Sequence, residues 1–153
     1  MKRIEVKLSL EVVAPLLDVM KGAADALRAR LAVPLGEIDL DEDLRDAWGA
    51  ELLGVQNDGI GQLLGLFDRE FFEGGQIAFD ENNAEPILRA CAALRLQLRE
   101  SSLKNLGDET LESGNVELED LPESLRLVFM CYVFLATIQE LIIQHLDSEI
   151  LDG

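Results

Sequence analysis

Apolar side chains recur at spacings of three and four along most of this chain, the period of a helix with one buried stripe. Val13, Leu16, Leu17, Met20, Ala24, Leu27 and Leu31 form such a stripe, which predicts a first helix from near Glu11 to about Ala32 with Pro15 in its first turn. A second helix is predicted from about Asp43 towards Phe72, and Gly54, Asn57-Asp58-Gly59, Gly61 and Gly65 weaken its middle enough to kink or split it. A third, near Ala84 to Lys104, directs Ile87, Cys91, Leu94 and Leu98 inward and Arg89, Arg95 and Arg99 largely outward. The fourth, near Pro122 to Leu146, is apolar on nearly every side, as expected of a helix surrounded by others or joined to a second subunit. Trp48 and the phenylalanines Phe67, Phe71, Phe72, Phe79, Phe129 and Phe134 fall at core-compatible spacings and are expected to pack inside.

A different period precedes each helix. Ile4, Val6 and Leu8 alternate with Glu5 and Lys7, the signature of a half-buried strand. Three further segments share one form: Gly36-Glu37-Ile38-Asp39-Leu40-Asp41, Gly75-Gln76-Ile77-Ala78-Phe79-Asp80 and Gly114-Asn115-Val116-Glu117-Leu118-Glu119. Ser9, Asp41 and Asp80 stand where they can cap the helices that follow, and Glu119 is a poorer cap. An offset of about 71 residues carries Val6 onto Ile77, Leu8 onto Phe79 and Pro15-Leu16-Leu17 onto Pro86-Ile87-Leu88. An offset of about 78 carries Leu52, Val55, Ile60, Leu63 and Leu64 onto Met130, Val133, Ile138, Leu141 and Ile142. The expected fold is α+β and mainly helical: a single domain of four helices and four short strands, a duplicated strand-helix-strand-helix unit with pseudo-repeats at about 4–73 and 75–147. The alternative is an all-α bundle in which the extended segments only lead into helices.

Composition sharpens this picture. With 153 residues, 48% of them hydrophobic, the chain has material for one continuous core. The net charge of −17 is patterned: residues 34–85 carry 14 acidic and two basic side chains and 108–153 carry 11 and one, whereas 1–33 and 86–107 are slightly basic. This pattern allows the basic helices around Arg28 to Arg30 and Arg89 to Lys104 to pair with acidic segments inside the molecule or across a dimer. Such acidity disfavours nucleic acid and anionic membranes and favours basic protein partners. Lys2 and Arg3 lead directly into a charged, alternating segment rather than an apolar stretch, and the run Leu127–Ile138 is shorter than the roughly 20 residues that span a bilayer. A cytoplasmic location is expected, consistent with Cys91 and Cys131 lying in apolar helical patterns as buried, reduced thiols.

Candidate chemistry fails on spacing. Asp39, Asp41 and Asp43 imitate the start of a calcium loop, but Leu44 stands where glycine is needed and Ala50 where the bidentate glutamate would be. Gly54 and Gly59 bracket four residues as in a phosphate loop, yet Ile60-Gly61 replaces the Lys-Ser or Lys-Thr. His145 is the only histidine and has no acidic residue three positions before it; near a helix end it reads as a structural residue favoured by the C-terminal dipole. Carboxylates are too abundant for any pair to mark acid-base catalysis, and those at helix starts offset the dipole. No catalytic, cofactor or metal residue is assigned.

Val116-Glu117-Leu118-Glu119 leading into a leucine-rich helix, Leu98-Arg99-Glu100 to Leu106, and Asn57-Asp58 before Leu63-Leu64-Gly65 together resemble a small bacterial helical family of unassigned function. Members of that family are often encoded beside the Clp-protease adaptor, so the resemblance implies a connection with protein turnover. The function expected is a non-catalytic interaction protein, an adaptor or regulator, with a homodimer through Leu127, Met130, Phe134 and Ile138. The alternatives are an acidic mimic of nucleic acid that fills a basic groove, and a metal-dependent enzyme that uses carboxylates.

Overall fold

The structure, a computed structural model, describes residues 3–33, 41–106, 110–111 and 117–147. Strand β1 (Arg3–Lys7) leads into helix α1 (Leu10–Ala26). Helix α2 (Glu42–Gly65), a short α3 (Arg69–Gly74) and strand β2 (Gln76–Asp80) follow, then α4 (Ala84–Glu100) and α5 (Glu123–Ile142). The chain is mainly helical with a two-stranded antiparallel sheet, the expected α+β class. The expected strand at Gly36–Asp41 lies outside the described residues up to Leu40, as does Gly114–Val116. Leu118–Asp120 forms a 3-10 turn instead of extended chain.

The strands pair with Val6 opposite Ile77 and Ile4 opposite Phe79. A lone two-stranded ribbon is marginal in water; here Ile77 and Phe79 are buried and Ile4 and Val6 pack against the same core. Gly75 turns the chain into β2 with φ +74, and its carbonyl accepts from Leu8 N at 2.6 Å. A Cβ there would lie 2.4 Å from the Leu8 carbonyl oxygen, so both the conformation and the space require glycine.

α4 is the central helix, packing on α1, α2 and α5. α1 buries Val13, Leu16, Met20 and Ala23, with Leu27 beyond its end, and α4 buries Ala84, Ile87, Cys91, Leu94 and Leu98. α5 buries Phe129, Cys131, Tyr132, Leu135, Ile138 and Ile142 against α1 and α4, then ends in a π turn at Ile143–Asp147.

The second helix departs from expectation in two ways. It runs unbroken through Asn57–Gly61, and the interruption falls instead at Leu66–Asp68, where Asp68 accepts from Glu70 N and Phe71 N and caps α3. The glycine-rich middle stays helical because it is held from outside. Gly59 sits against α4, where an added Cβ would come within 2.9 Å of the Pro86 carbonyl oxygen. Gln56 donates to the Leu27 and Arg30 carbonyls at 3.1 Å each and accepts from Ala32 N at 2.9 Å, and Asn57 donates to the Arg28 carbonyl at 2.9 Å. Two α2 side chains thus satisfy the backbone groups exposed where α1 ends. At the start of α4 the cap is Asn83, with Asp80 accepting from Asn82 N and Asn83 N in a side-chain turn.

Among the described residues, the basic segments form local ion pairs. The ion pairs Arg28–Asp25, at the end of α1, and Arg89–Glu85, within α4, both 2.5 Å, link residues three or four apart in sequence. Arg95 turns inward towards α5 rather than outward: it donates to Gln139 Oε1 at 2.7 Å and Tyr132 Oη at 3.3 Å, with its guanidinium 4.6 Å from the Tyr132 ring centre. Gln139 in turn donates to the Leu88 carbonyl at 3.3 Å, which completes a polar latch between α4 and α5.

Candidate functional site

α2 begins with three acidic residues, Asp41, Glu42 and Asp43, which suit the positive end of the helix dipole. Beyond them, its apolar residues fall on two adjacent faces. Ile60, Leu63 and the buried Gly59 meet the core, and these are the helix's only fully buried positions. Leu44, Trp48, Leu52 and Val55 follow one another at spacings of four, four and three and form a second stripe. Trp48 is 42% exposed and Val55 52%. Trp48 is therefore a surface residue rather than the core residue expected, and Phe72, 56% exposed on α3, is another.

Between this stripe and α4 lies an open trough with a volume of about 890 Å³. Leu52, Val55 and Gly59 form its α2 wall, and Pro86, Ala90, Ala93 and Leu96 its α4 wall. Leu31, Ala32 and Val33 close one side, with Val33 69% exposed. The polar groups along the trough are largely engaged: Gln56 holds the end of α1, and Arg89 is paired with Glu85. Asp58 lines the trough and is exposed, and Glu51 precedes Val55 by one turn. Neither forms an ion pair among the described residues. The site offers apolar surface with carboxylates at its edge and, among the described residues, no nucleophile beside a base.

The four residues expected to meet a second copy are divided by the fold. Leu127 is 43% exposed, Met130 and Phe134 are half-buried, and Ile138 is 1% exposed. Ile138 points between α5 and the rest of the core, so a partner cannot reach it. Phe134 packs against Phe67, with ring centres 6.1 Å apart. The helical stretch Glu123–His145, 23 residues containing an 18-residue window of mean hydropathy 1.8, is long and apolar enough by length and composition to cross a membrane; a third of that window is buried within the molecule.

Cys91 and Cys131 are buried and free, as expected. Burial pushes both thiols up to about 12, an effect that Arg95 partly offsets at Cys91. Both are therefore protonated and poor nucleophiles at neutral pH. His145 is exposed in the π turn that ends α5. Among the described residues, no group of three or more His, Cys, Asp or Glu is placed to hold a metal ion.

The α2 stripe escaped sequence reasoning because periodicity reports an apolar face without saying whether anything covers it. A signal was present in the 78-residue offset. Where α5 carries the buried Phe129, Tyr132 and Leu135, α2 carries Glu51, Gly54 and Asn57. The first half of α2 lacks the large side chains that would anchor it. No family model matches this chain, and neither a curated protein nor a solved structure matches it.

Proposed function

We propose that this is a non-catalytic interaction protein, an adaptor or regulator, which holds a segment of a partner in the trough between α2 and α4. The observation that carries the reading is that α2 buries no residue before Gly59, yet presents Leu44, Trp48, Leu52 and Val55 in one stripe that runs into the trough. A contiguous apolar surface of this kind marks interaction sites on soluble domains, and tryptophan is prominent among residues that anchor interfaces. An apolar trough favours this reading over acidic mimicry of nucleic acid, whose recognition surface would be a stripe of carboxylates.

A photo-crosslinking residue at Val55 tests it. Irradiation in cell extract is expected to give a discrete adduct that is absent when the same residue replaces the exposed Asp18 of α1. Identical adduct patterns at the two positions, or none at Val55, would refute the assignment. Self-association belongs to the same reading only through Leu127, Met130, Val133 and Phe134, the reachable face of α5. Sedimentation equilibrium showing a strict monomer removes that part.

A further inference from the structure

We propose that the occupant of the trough is a cationic amphipathic helix of a partner protein, its apolar stripe seated on Trp48, Leu52 and Val55 and its basic face opposite the carboxylates of α2. This inference rests on the trough being the interaction site and adds the chemistry of what fills it.

Three observations specify that chemistry. The first is shape. Leu44, Trp48, Leu52 and Val55 form a ridge with helical spacing that extends about 16 Å, or three turns. On the facing side α4 contributes the small residues Ala90 and Ala93, which let another backbone come close. A ridge and a shallow bed between two helices receive a third helix through anchors at i, i+4 and i+7.

The second is charge. Residues 42–58 carry Glu42, Asp43, Asp46, Glu51 and Asp58 against the single Arg45. On the opposite wall Arg89 and Glu85 neutralise each other at 2.5 Å. The border of the trough is thus net negative, within a chain of net charge −17. A basic helix complements that field, and an acidic one is repelled by it. The same argument disfavours a second copy as occupant, since it would set the α2 carboxylates against their own duplicates.

The third is support. A helix shorter than about 12–15 residues is marginal in water unless packed. The stretch from Glu42 to Asp58 has no fully buried residue of its own. Docking a helix on the stripe supplies the packing that this stretch lacks.

Trp48 is the only tryptophan, so its emission reports directly from the stripe. Three tryptophan-free synthetic peptides of about 18 residues, five helical turns, are the probes. One places leucines on one face and lysines on the other; one has the same leucine face with glutamates; one keeps the leucine-lysine composition in an order that destroys the stripe. The leucine-lysine helix is expected to bind with a blue shift of Trp48 emission, and to bind more weakly as salt rises. Val55→Asn should weaken it about tenfold by removing the apolar seat, and Glu51→Lys with Asp58→Lys should weaken it by a similar factor. All three positions are solvent-exposed, and unchanged urea midpoints would establish that the variants remain folded.

If the leucine-glutamate helix binds as tightly and Val55→Asn abolishes it, the basic occupant is overturned while the trough remains the site. If the scrambled peptide binds as well as the ordered one, the attraction is mere charge and both readings fall. If the protein alone dimerises and Val55→Asn makes it monomeric, the occupant is a second copy and the proposal is overturned.

Discussion

α2 and α5 are both long helices and have opposite relations to the core. Both are long, with 24 and 20 residues, and both carry apolar residues on more than one side. At positions 78 residues apart they agree in part: Ile60 and Ile138 are buried, and Val55 and Val133 are exposed. They part where α5 has Phe129, Tyr132 and Leu135 and α2 has Glu51, Gly54 and Asn57. Three large side chains seat α5 between α1 and α4 along most of its length. Without them, α2 touches the core only in its second half, and the apolar stripe on its first half stays at the surface. Burial here follows from what stands on the face next to the stripe, not from the stripe itself.

Substitutions should expose this difference most strongly in the interior. Leu135→Ala on α5 is expected to destabilise the fold by about 2–5 kcal/mol in urea unfolding, because it opens a cavity at a fully buried position. Val55→Ala on α2 should change stability by no more than about 0.5 kcal/mol. Equal losses would break the comparison.

The glycines of α2 come next, with effects of opposite sign. Gly59→Ala drives a methyl group towards the Pro86 carbonyl oxygen at 2.9 Å, and the strain of parting α2 from α4 should outweigh the gain in helix propensity, for a net loss of about 1 kcal/mol. Gly54→Ala and Gly61→Ala meet nothing within 4 Å and should each raise stability by up to about 1 kcal/mol. A melting series of the three variants distinguishes them.

Thiol chemistry gives a subtler contrast. Cys91 on α4 and Cys131 on α5 should resist a disulfide reagent at pH 8 until the chain unfolds, whereas Val55→Cys should react at once. Both native thiols sit at about 12, above their ordinary value of 9.0. The folded state therefore holds these protons more tightly than the unfolded one, and the associated stability is complete below pH 9 and declines as pH rises towards 12. A urea midpoint that falls across that interval checks the sign.

The helices and the first and third extended segments were legible because each has a strong period of its own. Val6 of the first segment pairs with Ile77 of the third in an antiparallel register, and α1 and α4 each bury one stripe. The break after Gly65 was not legible. Glycine lowers helix propensity at Gly59 and Gly61, but contacts with Pro86, Leu27 and Arg28 outweigh it, while the cap at Asp68 begins a new helix. The helical spacing directs Arg95 largely outward, and only its bonds to Tyr132 and Gln139 turn it inward. The trough is the least legible feature, since its bed is alanine on α4 and its ridge is on α2. Nothing in either segment alone marks the space between them.

Hydrogen exchange resolved along the chain measures the central difference directly. In the free protein, amides of Asp46–Val55 on α2 are predicted to exchange far faster than those of Phe129–Ile142 on α5, and to become protected when the leucine-lysine helix is bound. Equal protection of the two segments in the free protein, or no change on α2 with the peptide at saturation, would contradict the account.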